Sequence, residues 1–227
     1  MSQPPGAIAI ELLSETTFSS GGSTAAEVDI EAEHDGNGLP RFGGKALHGV
    51  LRDTWVTIAA SGPFAELDAA ALRIFGPAKD FSEQAILRIG DAEVLPGVRS
   101  VVRRAVKRNV EPLTPMTILR SLSDIRYQTA EERTTGAPKR ATLRSSRVWL
   151  RDLTLYAPLR WLQDPSPEDL LCLAMALRGS RHVGLSRNRG RGFVRMTFAN
   201  SSSGGQFATD RIAATVLPVI NVSGGVE

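Results

Sequence analysis

A chain of 227 residues, 42% of them apolar, holds enough hydrophobic material for one elaborated core, which excludes a disordered tail as its class. Its single cysteine, Cys172, excludes an intramolecular disulfide, and one Cys with three His leaves no ligand set for a structural zinc, so no metal-binding residues are assigned from composition. The net charge of +3 conceals a split: residues 1–98 carry 6 Lys/Arg against 14 Asp/Glu, residues 99–151 carry 13 against 4, and residues 178–195 carry six Arg and no acid. Such a split steers a polyanion along one face or docks one copy on the next, and charge runs of this kind are also ordinary solvated surface.

The segment Met1–Gly6 has neither the basic residue nor the apolar run of a secretory signal, and no stretch approaches the ~20 apolar residues of a membrane span. The sequence therefore reads as a soluble, cytoplasmic protein without a membrane partner. Residues 7–13 are short and aliphatic and predict a buried strand. Residues 14–38 lack periodicity and form a long loop rich in Ser, Gly and acids, the kind of loop that usually carries function or is disordered.

From Gly44 the pattern turns helical, with Leu47, Val50, Leu51, Trp55 and Ile58 on one stripe until Gly62-Pro63 stops it. Residues 85–95 predict a second strand interrupted by Gly90. Beyond Pro96-Gly97, Val98, Val101, Val102, Val106 and Val110 stand among Arg and Lys, and the β-rich basic stretch that follows reads as a long hairpin-like arm with its polar turn at 131–138. Residues 148–156 return to the sheet. Ser166-Pro167-Glu168-Asp169 opens a helix with a capping box, and Cys172 on that helix reads as core. A Gly/Arg loop, 184–192, precedes a strand at 193–198, and residues 212–221 predict a final edge strand.

Three segments carry chemistry. In the Gly/Arg loop, glycines let the backbone approach a phosphate while Arg187, Arg189 and Arg191 supply forked donors; the same residues also fit a basic turn before an edge strand. The loop follows a helix and lacks a Gly-Lys-Ser/Thr ending, so it is neither a dinucleotide fingerprint nor a P-loop. At the helix entry, Gly44 leaves free N–H groups at an N-terminus that favours anions, and Lys45, His48 and Arg52 share one face; a Gly-loosened helix start explains the segment equally well. The acidic loop holds Glu27, Asp29, Glu31, Glu33, His34 and Asp35. If extended, it places its carboxylates on one side, where they would hold a divalent cation such as Mg2+ or Mn2+ for RNA cleavage, or would simply be a solvated loop. Tyr127, Ile125 and Leu143 are candidates for an apolar tip on the arm that stacks on nucleotides, or else pack within it.

The order of these pieces resembles the repeat-associated mysterious protein (RAMP) superfamily of CRISPR effector subunits. Leu39 to Arg52 is similar to that family's Leu-Pro-x-x-x-Gly-x-x-Leu-Lys-Gly-x-Leu-Arg helix entry, with His48 in place of the lysine and Gly43-Gly44 in place of Pro-Gly. Gly184 to Gly192 looks like its late Gly-rich loop, and Phe75-Gly76 and Asp91-Ala92 match further points. Arg126 to Ala130, through Gly136-Ala137 to Leu143-Arg144, is similar to the thumb of type III backbone subunits.

The resemblance implies an α+β, ferredoxin-like (RRM-like) palm over about 7–98 and 148–221, an inserted β-hairpin thumb over about 99–147, long loops, and a tail, 200–227, adding an edge strand. It implies guide RNA, target RNA and other RAMP subunits as partners. RNA contacts are then expected at Gly44, Lys45, His48, Arg52, Arg126, Tyr127, Arg144, Arg187, Arg189 and Arg191. In target-cleaving members an aspartate precedes the Leu-Pro segment, which makes Asp29 the expected catalytic residue of a metal-dependent endoribonuclease acting on guide-paired target RNA. The alternatives are a catalytically inert structural or end-capping RNA-binding subunit of the same complex, and a protein-interaction module that does not bind RNA. The guide-processing endonucleases of the superfamily often use a histidine near the N-terminus, which this chain lacks.

Overall fold

The aliphatic run at the start of the chain forms β1 (Ala7–Leu12), with Ala7, Ile8, Ile10 and Leu12 fully buried. It lies between two antiparallel neighbours, β7 (Thr154–Trp161) and β8 (Val194–Ala199), so that Ile10 sits opposite Leu155 on one side and Met196 on the other. These facts come from a computed structural model, which describes residues 4–19, 28–77, 85–108, 111–139 and 141–200. On its far side β7 pairs with β3 (Leu87–Ile89) and β4 (Ala92–Glu93), and β4 pairs with β2 (Arg41–Phe42). The strand expected over 85–95 is thus two short strands. They part at Gly90, where an added Cβ would lie 2.7 Å from the Pro158 ring.

The helices follow their apolar stripes. α1 (Gly44–Ala60) buries Leu47, Leu51 and Trp55 at four-residue steps, about 1.5–3 kcal/mol of stabilisation for each such side chain. α2 (Asp68–Phe75) buries Ala70, Ala71, Ile74 and Phe75. α5 (Pro167–Gly179) starts with the expected capping box: the Ser166 hydroxyl accepts from the Asp169 N–H at 3.2 Å, and the Asp169 carboxylate accepts from the Ser166 N–H at 2.8 Å. α5 packs on α1, α2 and β8, closing a mixed α+β core. Cys172 belongs to that core, and burial, with Asp169 and Asp68 nearby, pushes its thiol up to about 12.

The basic middle of the chain differs from a simple arm. Residues 96–122 are mostly helical, as α3 (Pro96–Lys107) and α4 (Pro115–Leu122). The physical reason lies in the spacing. Val98, Val101, Val102, Ala105 and Val106 fall at helical steps, and Pro96 and Pro115 each sit in a first turn. Thr114 and Thr117 form a capping box at the start of α4. The hairpin proper is β5 (Ser123–Gln128) with β6 (Arg144–Trp149), a separate two-stranded sheet in register from Ser123 opposite Trp149 to Gln128 opposite Arg144. The edge strand expected over 212–221 lies outside the described residues. Among those residues no helix is long and apolar enough to cross a membrane.

Candidate nucleic-acid interface

β6 is flanked by β5 on one side and by the long N-terminal loop on the other. Thr16 exchanges backbone hydrogen bonds with Trp149, while the Ile30 N–H donates to the Ser145 carbonyl and the Arg147 N–H to the Ile30 carbonyl. Beneath this junction Arg147 is 2% exposed, its Nε donating to Glu31 Oε1 at 2.6 Å and its Nη1 to the Ser123 hydroxyl at 3.4 Å. The loop is therefore bolted to the hairpin by backbone pairing and a buried ion pair.

This arrangement corrects the expectation of a metal-dependent nuclease. Alternation along an extended loop predicts a shared bank of carboxylates, but each described one turns to its own protein partner. Asp29 accepts from the N–H and hydroxyl of Ser145, Glu31 pairs with Arg147, Glu33 lies 3.7 Å from Arg41, and Asp35 accepts from the N–H groups of Asn37 and Leu39. Glu27 lies outside the described residues. Among those residues no group of three or more His, Cys, Asp or Glu is placed to hold a metal ion. The expected Mg2+ or Mn2+ cofactor, and the endoribonuclease activity it would support, are overturned by this dispersal of the donors. The Asp29 carboxyl is held below its usual range first by the Ser145 N–H, then by the Ser145 hydroxyl, with the Arg144 charge adding to both.

The Gly/Arg loop folds onto the same junction. Gly184 and Gly192 take positive φ, and an added Cβ would lie 2.3 Å from the Thr17 carbonyl oxygen and 2.0 Å from the Val183 carbonyl oxygen respectively. Only glycine lets this backbone approach so closely. Arg189 donates to the Gln128 side-chain oxygen at 2.9 Å and Arg191 to the Ser146 hydroxyl at 3.3 Å, while Arg187 is exposed. Loop, hairpin and N-terminal segment together wall a cleft of about 330 Å³, lined by Arg144 and Arg189, the hydroxyls of Thr129, Thr142, Ser145 and Ser186, the Gln128 amide, and the apolar Ile30 and Leu185. The hydroxyl and amide residues escaped sequence reasoning. Their only signal is the polar run of the two hairpin strands, which any exposed hairpin shares.

The hairpin residues divide. Tyr127 and Leu143 are each 63% exposed, so they do not pack within the arm. Arg126 is held by Glu15 and Asp124, with its guanidinium pKa raised by the Glu15 contact, so its charge is largely matched in place.

The helix-entry residues are not brought to the cleft, since α1 packs instead on α5, β3 and α2. The Gly44 N–H donates to Asp91 at 2.8 Å, and Asp91 also receives Arg41, so a protein carboxylate sits at this helix end. An added Cβ at Gly44 would lie 2.3 Å from the Ile89 carbonyl oxygen, which makes the glycine a packing requirement. His48 is half-buried, edge-on to Phe75 at 5.7 Å, and burial, with Arg52 and Arg88 nearby, lowers its pKa. Lys45 is exposed and Arg52 partly so.

No family model matches the sequence, and no curated protein matches it. The fold, however, has close counterparts among solved structures. A chain of the type III-B Cmr-beta complex bound to cognate target RNA, seen by cryo-EM, superposes with a TM-score of 0.65 at 11% identity, over 86% of this chain and 97% of that one. A chain of the same complex in its apo state gives 0.64 at 12% identity, over 87% and 98%. At such identities the likeness is one of fold, and the fold is that of a chain in a type III-B Cmr-beta complex.

Proposed function

We propose that this protein is a structural RNA-binding subunit of a type III CRISPR effector complex, with guide RNA, target RNA and other RAMP subunits as its partners. The observation that supports it most is the convergence of three separate segments on one cleft with Arg144 and Arg189 at its wall. The complex whose chains share this fold was seen with cognate target RNA, which agrees with that reading. The antiparallel sheet with α1, α2 and α5 serves as a ferredoxin-like palm, about 7–98 and 148–221, and the β5–β6 hairpin is the working end of the thumb inserted over about 99–147.

In this reading Arg144, Arg187, Arg189 and Arg191 engage phosphates, and Tyr127 supplies an exposed ring for a base to stack on. Lys45 and Arg52 extend the RNA-binding surface along α1, and Gly44 and His48 shape that helix end rather than carry charge to it. Arg126 orients the hairpin through Glu15. The protein reads backbone and shape while the guide reads sequence.

Titration of the full chain into fluorescein-labelled single-stranded RNA, followed by anisotropy from 50 to 300 mM salt, tests the proposal. Affinity falling linearly on a log–log plot is expected from release of counterions at phosphate contacts. Absence of binding at the lowest salt, or binding indifferent to salt, would overturn it.

A further inference from the structure

Gln128 ends β5 on the wall of the cleft, paired with Arg144 of β6. A glutamine amide carries both donors and an acceptor, and one that turns freely reads adenine by accepting from N6 and donating to N7. This one is held. Arg189 Nη1 donates to Gln128 Oε1 at 2.9 Å, and a guanidinium only donates, so the amide oxygen is the atom that faces it and the Nε2 group faces away. Among the described residues Nε2 has no hydrogen-bond partner. The amide therefore offers the cleft N–H groups, next to the remaining N–H groups of Arg189.

The rest of the wall does not restore a strong acceptor. Among the described residues no carboxylate lines the cleft. The Thr142 hydroxyl donates to the Lys139 carbonyl and accepts from the Ala130 N–H, the Ser145 hydroxyl donates to and accepts from Asp29, and the Ser146 hydroxyl accepts from Arg191. The Thr129 and Ser186 hydroxyls turn either way and so do not choose between bases. Ile30 and Leu185 add apolar surface for the flat face of a base, and at about 330 Å³ the cleft lies at the small end of ligand sites, which run from about 300 to 1,000 Å³. A guanine brings two acceptors, O6 and N7, along one edge. An adenine brings N7 with the N6 donor, which would meet the amide and guanidinium donor against donor. We infer that the cleft takes one unstacked nucleotide and prefers guanine to adenine there, with the Arg189-held amide of Gln128 donating to the O6/N7 edge. The inference rests on the RNA binding proposed for this cleft and adds to it one base that the protein itself reads.

Anisotropy of fluorescein-labelled RNA octamers with the full chain, at one fixed low salt, tests it. One octamer is all adenosine, and the others carry a single central guanosine, inosine or 7-deazaguanosine. The guanosine octamer should bind about 5-fold or more tightly than the all-adenosine one. Inosine, which keeps O6 and N7 and lacks only the N2 amino group, should match guanosine, and 7-deazaguanosine, which lacks N7, should fall back towards adenosine. Gln128→Glu places an acceptor where Nε2 now donates and should abolish or reverse the ratio of guanosine to adenosine affinity. Arg189→Ala releases the amide to turn and should shrink the same ratio, whatever it does to overall affinity. Circular dichroism reports whether each variant folds, and the wild-type series stands without them. Equal affinity of wild type for the guanosine and all-adenosine octamers, inosine no better than adenosine, 7-deazaguanosine as good as guanosine, or a ratio unchanged in folded Gln128→Glu would overturn the inference while leaving RNA binding intact. Binding of none of the octamers would overturn the RNA-binding reading and this inference with it.

Discussion

The Asp29 carboxylate accepts hydrogen bonds from both the backbone N–H and the hydroxyl of Ser145, at 2.7 and 3.0 Å, while the Asp29 N–H donates to the same hydroxyl at 3.0 Å. An aspartate tied in this way to the mouth of the cleft works as a latch between the N-terminal loop and β6. A carboxylate whose folded pKa is depressed contributes stability above its unfolded value of about 3.9, and that contribution is lost as pH falls through the folded value. The latch is therefore closed at neutral pH and opens only in acid. Asp29→Ala should speed amide hydrogen exchange at Ser145 and Ile30 and leave exchange in β1 unchanged. Unaltered exchange at Ser145 would show that the latch does not form.

Arg147 should be among the costliest side chains to remove. Arg147→Ala takes away the guanidinium that Glu31 pairs with at a largely covered junction, a loss of about 3–5 kcal/mol for breaking one side of a buried pair. The double change Arg147→Met with Glu31→Leu should recover much of that loss, because it removes both charges together. Urea unfolding midpoints of the two single variants and the double variant give the coupling.

Glycines of the Gly/Arg loop should separate by what surrounds them. Gly190→Ala meets open space and bears only the left-handed backbone cost, about 1–2 kcal/mol. Gly192→Ala adds a collision with the Val183 carbonyl oxygen and should cost clearly more, with the loop displaced from the hairpin. Chemical denaturation of the two variants side by side checks the order.

His48 should make the fold weaker in mild acid. Burial lowers its folded pKa below the ordinary value of about 6.5, so the unfolded chain binds the proton first. Stability is then full above pH 6.5 and falls as pH drops towards the folded pKa. His48→Gln should flatten this dependence between pH 7.5 and 5.5, as read from urea midpoints at each pH.

Much of the α+β core was legible because its elements are local. β1 is announced by Ala7 to Leu13, α1 by the steps from Leu47 to Trp55, and α5 by Ser166 and Asp169, all of which the structure retains. What stayed hidden depends on partners far along the chain. The anion-attracting end of α1 is occupied by Asp91, 47 positions from Gly44, and the acidic loop is divided among Ser145, Arg147 and Arg41. No spacing rule within either segment shows this. α3 is legible in principle, since Val98, Val101 and Val102 are at helical steps, but its valines and basic residues equally suit a strand of an exposed arm. The meeting of Arg144 with Arg189 joins residues 45 positions apart through a tertiary arrangement that sequence does not display.

The cleft itself offers the most direct test. Affinity for labelled single-stranded RNA should be measured for wild type, for Arg144→Ala with Arg189→Ala, and for the charge-matched control Arg103→Ala with Arg104→Ala on α3. The cleft variant should bind about 10-fold or more weakly, with its salt slope reduced by about 1.4, roughly 0.7 for each phosphate no longer engaged on a single strand. The α3 control should remain close to wild type. Equal affinity for wild type and the cleft variant, or a larger loss in the α3 control, would contradict the assignment of this cleft as the RNA-binding surface.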